Sequence, residues 1–469
     1  MNNDTENKSS INPKTTKVFS GKNIPVEALE TGDKNIPRLR FPKFKDKQWK
    51  YKKLSQLGQT INGLNGKSAK DFGKGKPFIT YKQVFDNSKV DLTKCSLVEI
   101  ADDENQNSIH KGDILITTSS ETPNEVGYAS VVLTEPDEPT YLNSFCFSFR
   151  PFSLERLKPE FSQYLFHSPI YRKSIEILAQ GITRFNITKG AFLNLKVPLP
   201  SSTIEQQKIA DCLSTLDEVI EGEEQKLELY IQHKMGLLQN LFPHPSSPST
   251  GSMVSGDSSP SEASETGDKN IPRLRFPEFK NSGEWVVKKL GEIAEIIGGG
   301  TPDTKNPSYW DGNINWFTPT EVKERYVLES KRKITEKGLK NSSAKLLPKG
   351  AILVTTRATI GDAAIAANEC CTNQGFQSFI VNDENFNIFV YYWIIINKNI
   401  FIKKASGSTF IEVGKNEIKT IHIPLPSLPE QQKIADCLSS LDDLINAQKQ
   451  KIELLKQHKK GLLQGLFPI

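Results

Sequence analysis

The sequence predicts an α+β fold built twice, as two pseudo-symmetric mixed domains joined by two long helices that pair as an antiparallel coiled coil. Three observations predict it. The decapeptide EQQKIADCLS stands at 205–214 and again at 430–439, and TGDKNIPRLRFP at 31–42 recurs at 266–277. Each repeated decapeptide opens a stretch with a heptad spacing of apolar residues. The blocks between the repeats mix strand and helix patterns in the same order. A chain of 469 residues also exceeds what one core usually supports.

The elements follow in order. Residues 1–45 form an N-terminal arm and the start of the first repeat; the first 30 have no counterpart in the second copy and receive no role. A variable domain covers 46–201, a conserved helix 202–243, a linker 244–265, a second variable domain 266–426 and a second conserved helix 427–469. The linker reading rests on HPSSPSTGSMVSGDSSPSEASE, whose Ser, Pro and Gly content cannot bury a core. In the second domain ILVTTR (352–357), FQSFIV (376–381) and KTIHIPLP (419–426) read as strands, with 389–405 as a helix. The first domain repeats the order with ILITTS (114–119), FCFSFRP (145–151), a helix over 161–179 and LNLKVPLP (193–200). The two blocks therefore read as one fold with different surfaces.

From Glu205 to Pro243, 27 of 39 positions are identical to those from Glu430 to Pro468, so this segment is shared equipment while the blocks before it diverge. It reads as a helix that starts at a capping box, Ser202 with Glu205 and Ser427 with Glu430, and ends at Pro243 and Pro468. Leu213, Ile220 and Leu227 make one seam with Leu216, Tyr230 and Leu237; Leu438, Ile445 and Ile452 with Leu441, Leu455 and Leu462 make the other. Glu223, Lys234, Gln448 and Lys459 interrupt the seams. Such a seam requires a partner helix, and the simplest partner is the other copy.

Composition excludes several classes. The net charge of +5 permits a nucleic-acid partner without demanding one. Six cysteines without CxxC spacing, and a polar N-terminus with no apolar leader core, point to a reduced, cytoplasmic protein. The greasy run 389–396 is too short to span a bilayer, so no membrane role is expected. GLNGKS (63–68) resembles the end of a phosphate-binding loop, but the position that must be glycine is Ile61. Asp303, Glu321 and Lys323 imitate a nuclease triad at a spacing chance supplies. No zinc-protease or serine-hydrolase motif appears, and without any Pro-Pro dipeptide the chain lacks a base methyltransferase's catalytic loop. No catalytic residue, metal ligand or cofactor is therefore assigned to this chain.

Binding chemistry remains. Loops rich in Gly, Thr, Asn and Lys recur at matched places in both halves, which suits phosphate gripping and base-edge contacts. In the first half the candidates are Lys67, Lys74, Lys76, Tyr81, Thr118, Ser119, Arg184, Asn186 and Lys189. In the second they are Thr301, Lys305, Asn306, Tyr309, Thr356, Arg357, Thr359, Ser408, Thr409 and Lys415. Trp310 and Trp316 are expected in the core rather than stacked on bases.

Several motifs together carry a family resemblance: RLRFPEF before a Trp, the opening GGTPDTKNPSYWDG (299–312), PLP before EQQKIA, and the LLQ-x-LFP ending. The chain resembles the specificity subunit of a Type I restriction–modification system over nearly its whole length. The resemblance implies two target-recognition domains, each reading one half of a bipartite, gapped sequence in double-stranded DNA, with the helices setting the gap. It implies a non-catalytic subunit that binds two modification subunits, which methylate adenine with S-adenosylmethionine, and motor–nuclease restriction subunits that use ATP and Mg. The helix surface with Gln206, Gln207 and Ile209, and Gln431, Gln432 and Ile434, is expected to receive partners. Leu213, Leu216, Ile220, Leu438, Leu441 and Ile445 are expected in the helix seam. The first half departs from the pattern, carrying INGLNGKSAKDFGKGKPFITY (61–81) in place of the GGTP opening, so it is expected to read a different half-site. The rival reading is a non-catalytic coiled-coil adaptor with two protein-binding domains.

Overall fold

The computed structural model describes residues 36–243, 270–357, 359–406 and 411–468. The sequence readings for residues 1–30, for the linker 244–265, and for Ser408 and Thr409 lie outside the described residues. The chain forms two compact units, one running to Val219 and resuming at Leu455, the other spanning Ile220–Leu454.

In the first unit the strands Gly58–Asn62, Cys146–Pro151, Ile114–Thr117 and Ala129–Val131 form, in that order, an antiparallel sheet. All four residues of ILIT are buried, which is why that strand reads as a continuous apolar run rather than an alternation. Ile114 and Ile116 face an aromatic core of Trp49, Phe147, Phe149, Phe161, Phe166 and Phe192. Leu115 faces the opposite side, with Ile79, Val84, Val132 and Leu142. Burying each such side chain contributes about 1.5–3 kcal/mol. A second sheet, Ser96–Val98, Phe72–Ile79 and Tyr141–Leu142, lies in the same unit. The helix expected over 161–179 is two, Pro159–Leu165 and Pro169–Glu176. Pro169 has no N–H to continue the first, and the Ser168 side chain caps the second by accepting from Tyr171 N–H.

The second unit repeats this plan. Its central sheet runs Ala294–Gly298, Phe376–Val381, Ile352–Thr355, Ala363–Ala366 and Tyr326–Val327. Ile352 and Val354 face the helices Asn387–Ile396 and Lys398–Lys404, while Leu353 faces Phe317 and Phe376. The helix expected over 389–405 breaks at Asn397. Trp310 and Trp316 are core, edge to face with centroids 5.1 Å apart and the Arg332 guanidinium 3.5 Å from the Trp310 centroid.

Each variable block is followed by a long helix, Thr203–Asn240 or Leu428–Leu466. In the first unit Ile209, Ala210 and Leu213 share a core with Leu466 and Phe467, and Lys459 pairs with Asp217. In the second Leu238, Leu241 and Phe242 share a core with Ile434, Ala435 and Leu438. There Gln448 donates to Glu223, and Lys234 pairs with Asp442. All four polar residues read as interruptions of the seams thus find partners.

The capping boxes need correction. The Glu205 carboxylate is fully buried and taken by Arg40 (Nε 2.7 Å, Nη2 3.0 Å) and by Trp49 Nε1 (3.1 Å). Glu430 is held by Arg275 at 2.7 Å from both Nε and Nη2. The repeated RLRFP and EQQ motifs are therefore one Arg–Glu anchor made twice, with the Trp bond in the first copy alone, since the buried Trp285 Nε1 has no hydrogen-bond partner among the described residues. A backbone clasp accompanies each anchor: Leu39 N–H donates to Gly465 C=O (2.8 Å) and Leu274 N–H to Asn240 C=O (2.9 Å). Each repeat's entry segment thus grips the tail of the other repeat's helix.

Candidate nucleic-acid interface

In both units three loops meet at the end of the buried central strand, and the same backbone bonds hold them. Thr118 N–H donates to Phe145 C=O (3.0 Å), as Thr356 N–H donates to Gly375 C=O (2.8 Å). Asn143 Oδ1 accepts from Phe145 N–H, as Asn373 Oδ1 accepts from Gly375 N–H, both at 2.9 Å. The loop after the first sheet strand comes so close that a Cβ on Gly63 would collide with the Asn143 carbonyl, and one on Gly299 with that of Asn373. A short antiparallel pairing closes the group, a hairpin bridged by Gln180 and Asn186 in the first unit and a bridge from Ser406 to Glu412 in the second. It docks by Ile187 N–H to Thr118 C=O (3.0 Å) and Val413 N–H to Thr356 C=O (3.4 Å). Gly181 has φ +143°, and a side chain there would strike the Arg184 carbonyl.

On this shared frame the side chains differ. In the first unit Arg184 is exposed; its Nε donates to Ser119 Oγ (2.7 Å) and its guanidinium lies 5.5 Å from the Phe145 centroid. Tyr81 Oη donates to Ser119 C=O (2.7 Å), and desolvation raises the phenol's pKa. Lys189 opens the helix Lys189–Asn194 and donates to Asn62 Oδ1; desolvation lowers its pKa. Asn186 is exposed at the hairpin. Tyr81, Thr118, Ser119, Arg184, Asn186 and Lys189 are thus brought together, though Ser119 is buried and supports the others.

Lys67, Lys74 and Lys76 stand apart from that group. Lys67 is ion-paired with Glu104 and largely buried, whereas Lys74 and Lys76 pair with Glu99 and Glu138 at 3.1 Å on an exposed strand.

In the second unit Thr301 donates to Gln374 Oε1, and the half-buried Arg357 is held by Glu412 (Nε 2.9 Å, Nη2 2.8 Å). Thr356 is buried and Thr359 exposed, Thr359 N–H closing a tight turn onto Arg357 C=O (2.6 Å). Lys305 and Asn306 lie in the turn before Tyr309; Asn306 Oδ1 accepts from Ser308 N–H (3.1 Å) and caps that turn. Lys415 is exposed at the start of the helix Lys415–Lys419. Sequence reading missed Glu412, Asn62, Gln374 and Phe145. Asn62 lies in the segment 61–81, Phe145 opens an expected strand, Gln374 sits two residues before another and Glu412 lies between the candidates Thr409 and Lys415, but pairing across the fold leaves no signal in a single sequence.

The partner surface on the helices also changes. Gln206 accepts from Lys158 N–H (3.1 Å) and donates to Arg156 C=O (3.0 Å); Gln431 accepts from Phe386 N–H (2.9 Å) and donates to Pro426 C=O (3.0 Å). Both glutamines, with Ile209 and Ile434, are buried in their own units, which corrects their expected role as contact residues. Gln207 and Gln432 remain accessible. Leu213, Ile220, Leu438, Leu441 and Ile445 are buried and Leu216 partly so.

Among the described residues no cluster of three His, Cys, Asp or Glu is placed to hold a metal, and no helix is long and apolar enough to cross a membrane. Asp303 and Glu321 are engaged in turns, Asp303 Oδ1 accepting from Lys305 N–H and Glu321 Oε2 from Thr318 N–H.

A family model described as the Type I restriction modification DNA specificity domain matches residues 46–229 and again 282–457. The MjaIX Type I restriction enzyme specificity subunit of Methanocaldococcus jannaschii is 42% identical over 190 residues, 39% of this chain and 44% of that protein. The match thus spans less than half of that relative. The MjaX specificity subunit of the same organism is 27% identical over 429 residues, 89% of this chain and 92% of that one. In fold, the chain is similar to the crystal structure of a Type I restriction–modification S subunit from M. genitalium, with TM-score 0.53, 16% identity and coverage of 92% and 99%.

Proposed function

The chain belongs to the Type I restriction modification DNA specificity family, and from that premise we propose that it is a non-catalytic subunit reading a bipartite, gapped sequence in double-stranded DNA. One observation carries the reading: the same loop junction is built twice with different side chains. A shared frame fixes where loops meet the duplex, and changed side chains change which base edges are read. Phosphate contacts fall to the accessible cations at the junctions, Lys189, Lys305 and Lys415.

The two long helices pair antiparallel as a coiled coil and set the unread gap. Support comes from within each unit: Asp217 pairs with Lys459 in the first, and in the second partners rise in number on one helix as they fall on the other, Glu223 with Gln448 and Lys234 with Asp442. Two equal modification subunits dock beside the helix starts and methylate adenine with S-adenosylmethionine; restriction subunits add ATP- and Mg-dependent translocation and cleavage. Matching clefts support a duplicated partner. One is lined by Leu199, Pro200 and Ser201, the other by Leu425, Pro426 and Ser427.

The test is to co-express the chain with its modification subunit and map methylated adenines across a genome. One asymmetric gapped motif is expected; a short continuous palindrome, or no methylation, refutes the reading. Lengthening both helices by four residues should change the gap and leave both half-sites unchanged.

A further inference from the structure

Arginine reaches the loop junction in both units, but from opposite elements. In the first unit Arg184 rides on the hairpin and bonds Ser119 at the strand end. In the second Arg357 occupies the strand-end position matching Ser119 and bonds Glu412, which stands at the bridge where the first unit has Asn186. Neither arginine's guanidinium bonds a second side chain of the fold, although that of Arg184 also lies 5.5 Å from the Phe145 ring centroid. Among the described residues, both terminal nitrogens of Arg184 and Nη1 of Arg357 have no hydrogen-bond partner.

The bond pattern determines what the side chain can present. A guanidinium has five N–H donors in a rigid plane. Glu412 takes Nε and the near side of Nη2, which leaves the end-on pair formed by Nη1 and Nη2 facing away from the carboxylate. Ser119 takes only Nε of Arg184 and leaves the same end-on pair. Two parallel donors at that spacing match the O6 and N7 acceptors that guanine alone offers together in the major groove. Holding the stem also removes rotamer freedom before binding, so less ordering is required on contact.

We propose that Arg357 and Arg184 are the guanine-reading residues of the two half-sites, with Glu412 and Ser119 as their positioning residues. The proposal rests on the DNA-reading function above and adds the base class and the side chain for one position in each half-site. Because the arginines come from different elements of one frame, they present their forks from different directions, so the two half-sites place that G·C pair differently.

The test is selection from randomised duplexes by the complex of full-length chain and modification subunits. The wild-type complex must first enrich a gapped motif; if it enriches none, the DNA-reading function itself fails. Given a motif, Arg357→Ala should flatten a preference for G·C at one position of one half-site by tenfold or more, leaving the other half unchanged. Arg184→Ala should do the same in the other half. Arg357→Lys should not rescue, since an ammonium presents no fork. Glu412→Gln should weaken the same position several-fold while affinity for random duplex rises, because a negative charge near phosphates is removed. A merely structural Glu412 would instead lower both affinities together. An unchanged motif in Arg357→Ala, or equal loss across both halves, overturns the proposal. Unchanged hydrogen exchange at Ile352–Thr355 and Ile114–Thr117 verifies that the variants are folded.

Discussion

Replacing Glu205 by Gln removes the negative charge at the centre of the first anchor. The Arg40 side chain is 4% exposed and the Glu205 side chain 1%, so the ion pair is dry. Taking away one partner of such a pair typically costs about 3–5 kcal/mol, because the other charge stays buried without compensation. Gln keeps one acceptor for Arg40 or Trp49, which places the expected cost near the low end, about 3 kcal/mol. Since about 1.4 kcal/mol corresponds to tenfold, local opening should become roughly a hundredfold more frequent. Hydrogen exchange followed by mass spectrometry on the full chain reads this directly, in peptides covering 38–54, 196–213 and 460–468. The second anchor serves as an internal control, and its peptides at 273–290 should keep wild-type protection. Arg40→Met combined with Glu205→Met should cost less than Glu205→Gln alone, because no charge is then left buried. A loss under about 1 kcal/mol in the single variant, or a double variant costing as much as the sum of the singles, would refute the anchor as the cause.

Further outcomes follow from the same geometry. Phe467 is fully buried, with centroids 5.9 Å from Trp49 and 5.6 Å from Phe161, so Phe467→Ala should destabilise the first unit by about 3–5 kcal/mol, seen as lost exchange protection at Leu54 and Ile209. His167 donates from Nε2 to the Ala129 carbonyl at 2.6 Å, and desolvation lowers its pKa to about 4. The folded state therefore favours the neutral ring: stability is full above the unfolded pKa near 6.5 and falls as pH drops from there toward 4. With the ring partly accessible, the loss by pH 4 should be on the order of 2 kcal/mol. His167→Gln should abolish that slope in urea titrations followed by exchange in the first unit. Lys415→Ala should weaken binding to all duplexes alike and reduce the salt slope of binding by about one, measured between low and physiological salt; a changed motif would contradict a phosphate role.

The sequence by itself determined the duplication, the mixed α+β plan, the two long helices and the loops that carry the candidate contacts. Those features are local or repetitive: an apolar run makes a buried strand, a heptad makes a helix with a seam, and an exact repeat declares a shared element. Tertiary structure decided what each residue touches. Glu205 read locally as half of a capping box, yet its carboxylate belongs to Arg40, 165 positions away. Gln206 looked like a surface contact and is a buried clasp for residues 156 and 158. Glu223 and Gln448 looked like flaws in two seams, and they bond each other across 225 positions. Arg357 was legible as a cation in a loop, but only the fold set it beside Glu412 and so oriented its fork. Pairings of this kind depend on the register between distant segments, which no single segment encodes.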